Sequence, residues 1–311
     1  MRKQTDWLLA GDPAIRYLTY RDLLHATPEQ CEALQARLPQ EGICARLLAC
    51  QHENGHWGLY YYQPKWTSTH YTLLELKNLG APTALTACRS IILRMFDECT
   101  LPGGGMNLSR HAHPNDTCVD AMVLNYASYF CPEEPRLDQL AGHIMAEQRQ
   151  DGGFAWDASA DCGDPHTTIC TMEGLGQYAA SRASGKQVSV SEAMRGGVSF
   201  LLSNHLFIDS TDRRFQKLTY PARYRYDLLR ALEFFARERI CFDERMREAI
   251  LWLAGKQTRE GLWRLEHTHA GNVHFPLEEI GKPSRFITLK AMLVLRAYGR
   301  DVPDAIGQNP A

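Results

Sequence analysis

Residues 113 to 122, HPNDTCVDAM, set a carboxylate and a thiol two positions apart, Asp116 and Cys118, behind two imidazoles at His111 and His113. Carboxylate oxygen, thiolate sulfur and imidazole nitrogen are the donors a zinc ion takes. The same stretch also reads as a helix start, with Asp116 as the N-cap and Cys118 as a small buried hydrophobe. A second cluster stands at WDASADCGDPHTTIC, residues 156 to 170, where Asp157, Asp161 and Asp164 precede His166. Close carboxylates raise one another's pKa, as proton donors require, although a solvated acidic loop has the same composition.

Cations and aromatic rings gather near these stretches. Arg110, Arg223, Arg225 and Arg285 suit the charge of a diphosphate, with helix N-termini assisting, or ordinary surface ion pairs. YYYQPKW (60 to 66, ending in Trp66), Trp156 and YPARYRYDLL (220 to 229, with Tyr224) supply rings for a greasy chain or a developing cation, or for a packed core. His70 falls in the opening turn of a helical pattern, where it either faces a site or caps.

These residues are positioned by a repeat. QHENGHW (51 to 57), QRQDGGF (148 to 154) and QTREGLW (257 to 263) all read Q-x-x-x-G-x-aromatic, at intervals of 97 and 109 residues. Weaker versions fall between them at CTLPGGGM (99 to 106) and SNHLFIDS (203 to 210), making five units with a period of about 50 residues. Each unit opens with a helical pattern, turns at the glycine and continues through a polar loop into a second helix. The second helices, STHYTLLELKNLG, DTCVDAMVLNYASYF, HTTICTMEGLGQYAA, RYRYDLLRALEFFAR and SRFITLKAMLVLRAYG, are the more apolar set, as an inner ring requires. The pattern predicts an all-α fold: an α/α toroid, or barrel, of about five helical hairpins with inner and outer rings. The glycine serves the turn and the glutamine amide serves exposed helix-end groups, so these residues are scaffold.

The Q-x-x-x-G-x-W elements resemble the QW motifs of terpenoid cyclases, the squalene-cyclase-like repeat proteins, and the related repeats of protein prenyltransferase β subunits. The resemblance covers roughly residues 40 to 300 and implies an active site near the N-termini of the inner helices. Asp116 and Cys118 resemble the zinc ligands of the prenyltransferases, and His166, 48 residues after Cys118, resembles the third. Counted without a gap, Thr167 rather than His166 takes that ligand's place. The resemblance implies a catalytic zinc on Asp116, Cys118 and His166, with His113 in reserve, and a substrate that is an isoprenoid diphosphate or a related apolar small molecule. Arg110 and His113 fall where those enzymes carry diphosphate-binding cations. His70, Trp66, Trp156, Tyr224, Arg225 and Arg285 complete the expected binding set.

Three other readings stay open. A metal-free squalene-cyclase-like terpene cyclase works by general acid, but its D-x-D-D motif is absent and the chain has room for one toroid only. A non-catalytic toroid would bind a ligand or protein. A carbohydrate-active α/α barrel would use paired carboxylates, for which Asp116 and Asp164 serve.

Composition bounds the choice. The 311 residues are 44% hydrophobic and 23% charged, with a net charge of -2, so no basic excess attracts nucleic acid. The start lacks a signal-peptide core and no run approaches the roughly eighteen apolar residues of a membrane span, which leads us to expect a cytoplasmic protein with no transmembrane segment. Ten cysteines without a CxxC pair read as reduced core residues. One domain is expected over 1–311, with an extra N-terminal helix at about residues 12–25 and a flexible tail from about 302 to 311.

Overall fold

The structure is a computed structural model that describes residues 2–111, 115–182 and 187–306. Among these residues the secondary structure is helical, with isolated β-bridges and no strand, so the fold is all-α as the repeat pattern requires. In chain order the helices are α1 (Arg2–Leu9), α2 (Pro13–Leu18), α3 (Pro28–Gln35), α4 (Gly42–Leu48), α5 (Thr69–Asn78), α6 (Thr86–Cys99), α7 (Thr117–Phe130), α8 (Arg136–Ala146), α9 (Pro165–Ser181), α10 (Gln187–Ser203), α11 (Leu228–Arg237), α12 (Arg247–Gly255), α13 (Arg285–Tyr298) and α14 (Pro303–Ile306). The five predicted second helices are α5, α7, α9, α11 and α13. The helix expected near residue 12 is α2 running into a π-helical turn at Thr19–Leu23.

The chain forms two compact units. The first contains residues 1–45, 202–270 and 275–311, and the second contains residues 46–201 and 271–274. In the second unit α7 packs along α9 and against α5, α6 and α8, around Leu73, Phe96, Leu124, Tyr126 and Leu175. In the first, α11 packs on α13 and both meet α12, around Leu232, Phe235, Ile250, Ile287 and Val294. No helix among the described residues is long and apolar enough to cross a membrane.

The glycine turns repeat one set of bonds. Gln51, Gln148 and Gln257 donate their side-chain amides to the carbonyls of Gly55, Gly152 and Gly261 at 2.9, 2.8 and 3.1 Å. Those glycines sit at φ of 84°, 85° and 78°, in the left-handed region where a Cβ is costly. The aromatic residue that follows donates its backbone N–H to a threonine hydroxyl in the next second helix: Trp57 to Thr69, Phe154 to Thr168 and Trp263 to Thr288. In the weaker second unit the pairing is kept with different residues, Met106 N–H to Asp120 Oδ1 at 2.9 Å. The turn is thereby tied to the start of the helix that carries the candidate chemistry.

All five second helices start on a capping side chain: Ser68, Asp116, Asp164, Asp227 and Ser284. Each accepts a hydrogen bond from an amide of the first turn, which satisfies a donor the helix itself leaves open.

Candidate active site

The second unit brings together the N-terminal turns of α5, α7 and α9. Asp116 caps α7 through one oxygen: Oδ1 accepts from Cys118 N at 2.9 Å and from Val119 N at 3.3 Å. Asp164 caps α9 through both, Oδ1 from Thr167 N at 2.8 Å and Oδ2 from Thr167 Oγ1 at 2.7 Å. The two carboxyls are near enough to interact. Burial raises the Asp116 pKa from its ordinary value, the two helix amides oppose it, and the charges of Asp120 and Asp164 add to the rise. With Oδ1 taken by amides in the role of a carbonyl oxygen, a proton on this carboxyl rides on Oδ2.

Cys118 follows on the first turn of α7 and is buried. Its thiol is hydrogen-bonded with that of Cys170 on α9. This contact first, then burial and the carboxylates of Asp116 and Asp164, raises its pKa well above the ordinary thiol value. The close passage of the helices explains the meeting, since a Cβ on Gly174 would stand 2.4 Å from the Ala121 carbonyl oxygen, one turn further along each helix. Tyr71 lies within electrostatic reach of both thiols, and its hydroxyl is 3.2 Å from that of Tyr62.

His70 lies fully buried in the same unit. The Tyr126 hydroxyl stands 3.2 Å from Met95 Sδ and 3.2 Å from His70 Nδ1, with which it is hydrogen-bonded. The His70 Nε2 is buried without a hydrogen-bond partner. Burial, with Lys65 adding to it, lowers the imidazole pKa to about 3, so the ring is neutral at working pH. Tyr62 and Tyr71 stand with ring centroids 5.3 and 4.8 Å from it, and Trp66 packs edge-on against Tyr71 at 4.9 Å.

The remaining expected residues sort differently. His166 is half-buried on the first turn of α9. Among the described residues no group of three or more His, Cys, Asp or Glu side chains is placed to hold a metal ion, and Asp116, Cys118 and His166 do not form one. His113 lies outside the described residues. Arg110 is exposed, donates to the Leu59 carbonyl at 2.8 Å and lies over the Tyr60 ring. Trp156 is 58% exposed and lines no buried wall of its unit. In the first unit, Arg285 lies 4.3 Å over the Trp7 ring and bonds to its carbonyl, a packing role, while Arg225 lies over Tyr224.

Sequence reasoning passed over Tyr62, Tyr71 and Cys170 as individuals. For Cys170 a signal existed: it falls four residues after His166 on the same helical face, at the level that meets the first turn of α7. For Tyr62 none did, because a loop residue carries no periodicity.

No protein-family description and no curated protein matches this chain. Among solved structures it is similar to the type II terpene cyclase MstE from Scytonema in its apo form, at 14% identity and a TM-score of 0.34, covering 82% of this chain and 95% of that one. A variant of that enzyme in complex with the substrate geranylgeranyl dihydroxybenzoate is similar at 13% identity and a TM-score of 0.35, covering 82% and 95%. Another, in complex with the product merosterolic acid A, is similar at 12% identity and a TM-score of 0.34, covering 82% and 94%.

Proposed function

We propose that this chain is an isoprenoid-handling enzyme of the metal-free cyclase kind, in which Asp116 is the general acid. The observation that carries the reading is the pair Asp116 and Asp164: two carboxyls at adjoining helix starts, one raised in pKa with its Oδ2 outside the capping bonds, the other bonded at both oxygens. A carboxyl that holds its proton more tightly than usual is suited to act as an acid. In the step, the Asp116 Oδ2–H bond breaks and an alkene π pair takes the proton. A C–H bond forms, a carbocation remains on the neighbouring carbon, and Asp116 is left as carboxylate beside Asp164. The rings of Tyr62, Tyr71 and Trp66 pack together in the same unit, and aromatic rings stabilise cations. The sequence resemblance supplies the substrate class, and the absent D-x-D-D motif is answered by a pair assembled from two helices.

The same pair favours a second reading, acid and base for glycoside cleavage. Turnover by the purified chain distinguishes them. The expected result is conversion of farnesyl or geranylgeranyl compounds to cyclic products in the presence of chelator, lost on Asp116→Asn with the fold retained. Cleavage of glycosides with no action on isoprenoids would replace the first reading with the second. The zinc expectation is settled by the same preparation: about one zinc per chain, released on Cys118→Ser together with activity, would replace both.

A further inference from the structure

The ties between glycine turns and second helices differ in whether they can titrate. Phe154 and Trp263 donate their amides to Thr168 and Thr288, each four residues after a helix cap, Asp164 and Ser284. Asp120 holds the same place, four residues after the cap Asp116, and its Oδ1 accepts from Met106 N at 2.9 Å. A threonine hydroxyl carries no charge to gain or lose. A buried carboxylate does, and it has a second oxygen to satisfy.

That second oxygen meets His143 of α8 and Asn115. His143 Nε2 lies 3.5 Å from Asp120 Oδ2, while Asn115 Nδ2 lies 2.9 Å from the same nitrogen and 3.5 Å from the same oxygen. The glycine turn rests on the pair: a Cβ on Gly105 would stand 2.8 Å from His143 Nε2 and 2.9 Å from Asp120 Oδ2. Three stretches, the turn, α8 and the residue before Asp116, therefore converge on one imidazole–carboxylate contact. Asn115 serves either form of the ring, its amide nitrogen donating to a neutral Nε2 and, turned over, its oxygen accepting from a protonated one. Only the protonated ring adds a charge-assisted bond to Asp120.

The bond to Asp120 raises the His143 pKa, burial opposes it, and the charges of Asp120 and Glu147 add to the rise with the Gly103 backbone. Glu147 itself pairs with Arg149 at 3.5 Å. Burial raises the Asp120 pKa, with His143, the Met106 amide and Asn115 opposing. Asp116 is one helical turn from Asp120, whose amide donates to the Asp116 carbonyl at 2.9 Å. An imidazole with a raised folded pKa stabilises in full below its unfolded value, and that contribution is lost as pH rises through the folded one.

We propose that His143 and Asp120 form a pH-sensitive latch that holds the glycine turn of residues 101 to 106 and Asn115 against the start of α7, closed on the imidazolium–carboxylate pair and slackened when His143 gives up its proton. The latch is read in the free protein, so it stands apart from the assignment of Asp116 as an acid.

Nuclear magnetic resonance of the isotope-labelled full chain between about pH 5 and pH 9 tests it. The His143 signal, identified by its loss in His143→Gln, should titrate above the ordinary imidazole value, and nearer to or below that value in Asp120→Asn. Through the His143 midpoint, the hydrogen-exchange protection of the Met106 amide, corrected for the intrinsic rate, should fall about fivefold relative to the Trp57 and Phe154 amides. Those two end on threonine hydroxyls in the same unit. His143→Gln should remove the dependence, as should Asp120→Thr, which installs the side chain found at residues 168 and 288. Circular dichroism and the melting temperature show that each variant is folded, and the wild-type ratio decides the matter where one is not. A His143 midpoint at or below the ordinary value overturns the proposal. So does a constant ratio of Met106 protection to that of Trp57 and Phe154, which marks general loss of stability, and so does a dependence that survives in folded His143→Gln.

Discussion

Three aspartates, Asp116, Asp164 and Asp227, begin second helices as N-caps; Asp116 and Asp227 cap through one oxygen, and Asp116 is also within electrostatic reach of the carboxyl that caps the adjoining helix. Capping and chemistry are separable by substitution. Asparagine caps as well as aspartate, whereas alanine forfeits about 1 kcal/mol. Asp116→Asn is therefore expected to melt near the wild-type temperature and Asp116→Ala below it, while both lose turnover alike. If activity instead tracks stability across the two variants, Asp116 is a cap and nothing more. The sequence showed Asp116 and Cys118 as a pair with two meanings, and local spacing alone cannot choose between them. The groups that surround the pair, Cys170 and Asp164, come from more than forty residues away, and their approach depends on helix packing.

The elements were the most legible level, because each residue of the glycine turn has a bond that only its type makes: the amide of Gln51, the positive φ of Gly55, the indole of Trp57 donating to the Leu47 carbonyl at 2.7 Å. The weaker units were hard to read because they keep the tie with other residues, as Asp120 does in place of a threonine. Hidden from the pattern was the intimacy of α7 and α9. Gly174 is required there: a Cβ would meet the Ala121 carbonyl oxygen, which is backbone and cannot turn aside. Gly174→Ala should force the helices apart, lower stability by about 1–3 kcal/mol and disturb the Cys118–Cys170 contact. Gly142→Ala, exposed in α8 with nothing near the added carbon, should raise stability by about 0.5–1 kcal/mol. Denaturant midpoints check both, and a neutral Gly174→Ala would mean that the helices are not held at this separation.

For the whole chain the net charge of -2 says little about stability, because decisive charges of the first unit are buried and oppose one another in pH. Arg237 bridges Asp22 and Glu233 at 2.9 Å each, and Lys290 reaches Glu233 at 2.6 Å. Burial alone would raise these carboxyls. For Asp22 the arginines Arg21 and Arg237 outweigh it, for Glu233 Lys290 and Arg237 do, and both pKa values end at about 2. Their contribution is present above the unfolded carboxylate range and is lost as pH falls toward 2. Asp227 has the reverse sign. Burial, with Glu233 adding to it, outweighs the Arg230 amide, Lys290 and Arg230, and raises its pKa to about 7. The folded state holds that proton more tightly than the unfolded one, so the contribution of Asp227 is full below the ordinary value of 3.8 and lost as pH rises to about 7. Asp227→Asn keeps the cap and removes the titration. Relative to wild type it should gain stability steadily between about pH 4 and pH 7, level off above, and differ by on the order of 2–4 kcal/mol between the two ends. Urea unfolding of both proteins across that range reads the difference directly. A gap that stays constant with pH would mean that Asp227 is ionised in the folded protein throughout, held by Arg230 and Lys290 against the burial that otherwise keeps its proton on.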